Sequence, residues 1–172
     1  MTSALGFPMS RIRGEGPITL SLIDRLIDED PKRSEEVPLT RSQSLRALKA
    51  AVRRDLEWLL NTRQPLDMPS QEQLQNSLLV YGLPDISSMA LSSLKDQQRL
   101  TQSIEDAIQL FEPRLANVRV TLASAGGDKL PQLRFVIEGM LRVDPSPEPV
   151  SFDTLLELSS REYKVQGEPG AR

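Results

Sequence analysis

The sequence contains neither cysteine nor histidine, and these two absences exclude more chemistry than the residues present admit. Without cysteine there is no disulfide framework and no thiolate nucleophile, which fits a reducing compartment. Without histidine there is no Ser–His–Asp triad, and with both missing there is no His or Cys ligand for zinc. Chemistry is left to carboxylates, lysine, arginine, tyrosine and hydroxyls. Aromatic residues make up only 4% of the chain, so aliphatic side chains must fill the core. No apolar run approaches the roughly 20 residues that span a bilayer. Arg11 and Arg13 have no apolar stretch behind them, so the start does not read as a secretory signal. The expectation is a cytoplasmic protein without cofactor or metal.

What is present is ordinary for a globular chain. There are 172 residues, 38% hydrophobic and 26% charged, enough for one domain with a core and thin for two. Acidic residues number 24 against 21 basic, a formal charge of −3. That balance supplies no bulk attraction for nucleic acid, whose binding rests on neutralising phosphates.

Residues 1–17 hold three glycines and two prolines with little periodicity and read as a flexible arm. Ile18, Leu22, Ile23, Leu26 and Ile27 recur at helical spacing, and Asp30-Pro31 closes that short helix. A polar linker follows to Leu39. Thr40 and Gln43 fit a capping box, and Leu45, Leu48, Val52, Leu56 and Leu59 then form one apolar stripe, in a helix expected to end near Asn61 to Arg63. Ser70 and Gln73 suggest a second cap, on a short helix that stops at Tyr81-Gly82. A further helix runs from about Ser93, with Leu100, Ile104, Ala107, Ile108 and Phe111 on one face, and Pro113 limits it.

Beyond Pro113 the period changes from 3.6 to 2. Val118, Val120 and Leu122 alternate with polar or small residues, Gly126-Gly127-Asp128 supplies a turn, and Leu133, Phe135, Ile137, Gly139, Leu141 and Val143 alternate again. A proline-rich link from Pro145 to Pro149 leads to a segment, 150–158, that suits either a strand or a helix. Ser159-Ser160-Arg161 and the alternating Tyr163 and Val165 favour a second hairpin. Helices first and antiparallel strands last make an α+β fold, with N-terminal helices packed on a C-terminal sheet of hairpins. The expected organisation is an arm at 1–17, one domain at 18–166 and a disordered tail at 167–172.

Four stretches carry a resemblance to a known family: SLRALKAAVRRDLEWLLNTR (44–63), VYGLPD (80–85), IEDAIQLFEPRL (104–115) and VSFDTLLELSSREYKV (150–165). In order and spacing they resemble the baseplate subunit TssE of type VI secretion systems and its phage relatives, a baseplate-wedge, sheath-initiator family also called lysozyme-like. DLEWLLNTR and YGLPD resemble the type VI branch, whereas FEPR is shared more widely. The resemblance implies a non-enzymatic structural subunit of the wedge of a contractile injection machine. It implies TssF- and TssG-like wedge partners, a TssB/TssC-like sheath whose polymerisation the subunit initiates by strand addition, and a TssK-like neighbour. It places the protein in the cytoplasm, at a baseplate docked to the inner membrane complex, with no nucleic acid and no membrane insertion.

Three groups of residues are candidates for that role. Glu112-Pro113-Arg114, as an isolated tripeptide, reads as a helix stop with solvated charges. The resemblance makes it the wedge-contacting turn, with Arg114 as a polar anchor whose planar fork takes two acceptors at once and whose loss leaves the fold nearly intact. Glu162, Tyr163, Lys164 and Val165 form a terminal strand that is either an ordinary half-buried edge or, through unpaired backbone groups, the docking site for a sheath strand. Proline at Glu162 or Lys164 is expected to block that docking wherever it removes an outward-facing N–H. Arg46, Lys49 and Arg53 make a basic stripe, a solvated face or a docking face for an acidic partner, in which Arg53 is placed to pair with Glu57 one turn on. Trp58 beside it reads as core or interface packing.

The alternative is a muramidase working through paired carboxylates, drawn from Asp55, Glu57, Glu105, Asp106 and Glu112. Glycoside hydrolysis needs two carboxyl groups at a set separation, one of them buried enough to stay protonated. Asp55 and Glu57 are two apart on a helix and diverge, and aromatic platforms for sugar are nearly lacking. Asp28, Asp30 and Lys32 open like a calcium loop, but Arg33 stands where glycine is needed and Leu39 where glutamate is needed. Gly126-Gly127-Asp128-Lys129 lacks phosphate-loop spacing.

Overall fold

In the computed structural model, residues 40–65, 74, 77–87, 89–90, 93–123 and 132–167 are described, together with Ile18, Thr19 and Ser21. The expected arm at 1–17, most of the first short helix and its linker, the cap at Ser70 and Gln73, the turn at Gly126 to Asp128, the calcium-like segment and the tail after Gly167 lie outside the described residues.

Helix α1 spans Arg41–Asn61 and opens on the capping box. Thr40 Oγ1 accepts from the Gln43 N–H at 3.3 Å, and Gln43 Oε1 accepts from the Thr40 N–H at 2.9 Å. Two backbone donors that the first helical turn leaves open are thereby satisfied. Leu48, Val52, Leu56, Leu59 and Leu60 are buried along one face, the stripe read from the sequence, with Leu45 packed at its border. The chain turns back through a 3₁₀ turn at Leu78–Val80 and crosses the end of α1. There the Leu83 N–H donates to Thr62 O and the Gln64 N–H to Leu83 O, both at 2.9 Å. Gly82 makes this crossing possible. Its φ is +112°, and a Cβ there would lie 2.4 Å from the Thr62 carbonyl oxygen.

Helix α2, Leu94–Phe111, buries Leu100, Ile104, Ala107 and Ile108, the face expected from spacing. Four strands follow: β1 Leu115–Ala123, β2 Gln132–Leu141, β3 Glu148–Glu157 and β4 Glu162–Gln166. They form one antiparallel sheet in chain order, so the segment that suited strand or helix is a strand. It begins earlier than expected, at Glu148, and takes Pro149 into the ladder opposite Met140. The proline is tolerated because β4 reaches only Asp153 on the other side, leaving Pro149 on a margin where its missing N–H breaks no bond.

Val118, Val120, Leu133, Phe135, Ile137, Leu141, Val150, Phe152, Leu156, Tyr163 and Val165 are buried on the face toward the helices. A bulge in β1 shifts the register between Ala116 and Arg119, with Asn117 at φ +52°. Gly139 faces that bulge, where a Cβ would come within 3.3 Å of Ala116 O. The helix pair and the sheet thus share one hydrophobic cluster, the α+β arrangement expected.

Two buried hydroxyls, Thr154 Oγ1 and Tyr163 Oη, have no hydrogen-bond partner among the described residues. Burial pushes the Tyr163 phenol up to about 12. A folded-state pKa above the unfolded value near 10 means stability that is intact below pH 10 and lost as pH rises toward 12. Denaturant titrations are expected to show little change from this group between pH 9 and 10 and a decline of at most about 1.4 kcal/mol per pH unit between 10 and 12, and Tyr163→Phe is expected to flatten it. Gly82→Ala, by contrast, is expected to cost about 2 kcal/mol or more at neutral pH by the same measurement, because it combines strained backbone with a clash against main chain.

Candidate functional site

Among the described residues, the turn between α2 and β1 brings together charged side chains from two helices. Helix α2 ends with the Glu112 N–H on Ile108 O at 2.9 Å, and Pro113 then forbids another helical turn. The short reversal places Glu112 and Arg114 on the same side. Arg114 Nε donates to Glu112 Oε1 at 2.7 Å and Nη2 to Glu112 Oε2 at 2.5 Å, the two-point geometry of a guanidinium on a carboxylate. The Arg114 backbone N–H also donates to Glu112 Oε1, at 3.2 Å.

From α1, Asp55 closes the network. Its Oδ2 accepts from Arg114 Nη2 at 2.5 Å, and its Oδ1 accepts from Arg54 Nε at 3.0 Å and Nη2 at 2.8 Å. The Glu112 side chain is 5% exposed and that of Arg114 25%. Hydrogen bonding to Glu112 raises the Arg114 pKa above its ordinary value against the opposite push of burial, and Asp55 adds to the rise. Tyr81 of the 80–85 stretch stands edge-on to Phe111, ring centroids 5.1 Å apart. Its phenol is raised by burial first and then by the charges of Asp55 and Glu112.

This revises the expectation for Arg114. Its Nε and Nη2 are engaged by two carboxylates of its own chain, so removing it leaves Glu112 buried without its cation and is expected to cost stability as well as any docking. The outer limb of the network is different. The Arg54 guanidinium lies 5.0 Å over the Trp58 ring, and Trp58 is 58% exposed. Trp58 is therefore not core. It stands at the surface, linked through Arg54 and Asp55 to the 112–114 turn.

The remaining candidates fall elsewhere. Arg46 and Arg53 are exposed on α1 and Lys49 is half-buried. Glu57 does not pair with Arg53 but accepts the Val165 N–H at 3.4 Å. In β4 the outward-facing backbone groups belong to Tyr163 and Val165, because Glu162 and Lys164 alternate with them and turn toward β3. Proline at Glu162 or Lys164 would therefore break the β3–β4 ladder and remove no outward donor. Nor is the margin bare. Tyr163 N–H donates to Asn61 Oδ1 at 2.8 Å, and Asn61 Nδ2 donates to Tyr163 O at 2.9 Å.

The carboxylates considered for hydrolysis are all occupied. Asp55 and Glu112 do meet, with the Arg114 guanidinium between them. Glu105 accepts the Val120 N–H at 2.7 Å, and Asp106 accepts from Gln102 at 2.9 Å. Among the described residues no group of three or more acidic side chains is placed to hold a metal. No helix among them is long and apolar enough to cross a membrane.

Asn61 escaped the sequence reading as a site residue, and Asp55 entered it only as a candidate hydrolase carboxylate, not as a partner of Arg114. Asp55 did carry a signal: it lies three residues after Val52 and four before Leu59, so its carboxylate flanks the buried stripe and needs a cation. Asn61 carried none, since its partner is main chain 102 residues away.

Arg114→Ala is expected to lower unfolding stability by about 2 to 3 kcal/mol, less than the roughly 3 to 5 kcal/mol of breaking a fully buried pair, since Arg114 keeps some solvent contact. Urea denaturation measures this, and a double-mutant cycle with Asp55→Ala is expected to show coupling between the two sites.

No curated protein matches the chain. A chain in a solved baseplate complex from a type VI secretion system is similar at 19% identity and a TM-score of 0.43, over 62% of this chain and 91% of that one. The family model of baseplate wedge protein gp25 matches residues 46–146, a span that takes in most of α1, all of α2 and the 112–114 turn, and the first two strands. With more than half of its length covered by that model, the chain belongs to the baseplate wedge protein gp25 family.

Proposed function

We propose that this protein is the wedge subunit of a type VI secretion baseplate that links the wedge to the contractile sheath and starts sheath polymerisation. Family membership supports a structural baseplate role. The type VI branch rests on the resemblance of DLEWLLNTR (55–63) and YGLPD (81–85). The observation that carries a docking role is the surface formed by Trp58, Arg54 and the 112–114 turn. An exposed tryptophan and arginines held in fixed directions are the residue types that dominate binding energy at protein interfaces. They are anchored here to the core through Asp55 and Glu112, so little side-chain freedom is lost on binding. Arg114 keeps Nη1 uncommitted among the described residues. In this reading TssF- and TssG-like subunits seat on that surface, beside a TssK-like neighbour. The β4 margin, Glu162 to Val165, which lies against the last turns of α1, meets the TssB/TssC-like sheath. The assembly sits on the cytoplasmic side of the inner membrane complex.

Trp58→Ala separates docking from folding, because the ring is mostly in solvent. Its denaturation midpoint is expected to stay within about 0.5 kcal/mol of the parent, while co-purification with the two wedge partners falls at least tenfold. Undiminished co-purification would overturn this docking surface. Purified protein is expected to leave peptidoglycan suspensions turbid, and clearing them would favour the hydrolase reading instead.

A further inference from the structure

An edge strand leaves alternate residues with their N–H and C=O pointing away from the sheet, a template for any extended chain. In β4 those residues are Tyr163 and Val165. The hydrogen-bonding positions of a next strand are taken by side chains from the last turns of α1. Asn61, the last residue of that helix, receives the Tyr163 N–H and returns an N–H to the Tyr163 carbonyl, at 2.8 and 2.9 Å. One primary amide thus supplies the same donor and acceptor that a peptide of an incoming strand supplies. Its rotamer is held by a second bond, from Nδ2 to Glu57 O at 2.9 Å. Glu57, one turn earlier, covers the Val165 N–H. The opposite margin repeats the device with a single carboxylate, Glu105 of α2 on the Val120 N–H.

We infer that Asn61 is a latch on the β4 margin: in the free chain its amide occupies the position of an added strand, and a sheath segment pairs with Tyr163 by displacing it. This inference rests on the proposed docking of the sheath at β4. The exchange is close to even in hydrogen bonds, two given up for two gained, so a segment with further contacts to make displaces the amide readily. A second copy of this chain, bringing only its own edge, gains little. The latch therefore keeps free subunits apart without sealing the margin against its partner. Sequence pattern alone hides it, since the helix and the strand are joined by side-chain-to-backbone bonds.

The test compares the parent with Asn61→Leu, which keeps length but offers no polar atom, and with Asn61→Asp, which keeps the acceptor for the Tyr163 N–H. Amide hydrogen exchange at Tyr163 is expected to accelerate at least tenfold in Asn61→Leu and much less in Asn61→Asp. Exchange at Leu56 and Ile137 serves as the control for global unfolding. With purified sheath subunits, Asn61→Leu is expected to shorten the lag of sheath growth severalfold and, alone, to self-associate in sedimentation at concentrations where the parent is monomeric. A photo-cross-linker at the exposed Glu162 reports sheath contact independently. Cross-linking with unchanged lag overturns the latch alone. Absence of any sheath cross-link overturns the latch together with the docking on which it rests. Unchanged exchange at Tyr163 overturns the latch whatever the sheath does.

Discussion

The ion pair of Arg114 with Glu112, extended to Asp55, is the interaction on which the architecture turns. It sits where the last turn of α2 gives way to β1, and it ties that junction to the middle of α1 across 59 residues of sequence. A carboxylate as buried as Glu112 is costly in isolation and is tolerated because the guanidinium meets it at two points. The pair ties α1 to the α2–β1 junction through directional bonds, a constraint that apolar packing, being non-directional, does not supply. The short Pro113 reversal brings the two charged residues to one side, so helix stop and ion pair are one device. The two readings offered for the tripeptide were less opposed than they looked: it is a helix stop whose charges pair with each other, Glu112 buried and Arg114 partly so.

The fold was largely legible because its elements are locally consistent. The capping box at Thr40 and Gln43, the 3.6-residue stripe on α1 and the period-2 runs of β1 and β2 each point to the structure they form, independent of any distant contact. The start of β3 was less so. Proline argues against a strand, and only the shortness of β4 makes Pro149 harmless, a fact of topology that no local pattern contains. The site divided along the same line. Glu112, Pro113 and Arg114 were visible as a charged turn, but the second carboxylate on Arg114 comes from another helix. In sequence Trp58 stands between core and interface packing, because hydrophobicity says only what a residue tolerates. Whether the helix presents it to core or to water depends on neighbours that the chain supplies elsewhere.

The same limit explains the β4 margin. Alternation identified Tyr163 and Val165 as inward-facing side chains, correctly, and the same alternation makes their backbone groups the outward-facing ones. What covers those groups is a property of where α1 ends, at Asn61, beside the crossing of Thr62 by residues 80–83 that Gly82 permits. Side chains on two helices thus protect main chain at both margins of the sheet, a use of polar residues that hydropathy patterns do not register.

Strand order equals chain order in the sheet, so every strand pairs with its sequence neighbour and loop-closure costs are small. The meeting of α1 with β4 is the exception. It brings the first described helix against the last strand, and so fastens the two ends of the described domain to each other like a clasp. Tension applied along the chain between α1 and β4 would load that clasp before any strand pair, so a subunit pulled between two neighbours would yield first at its own seam and keep its sheet whole.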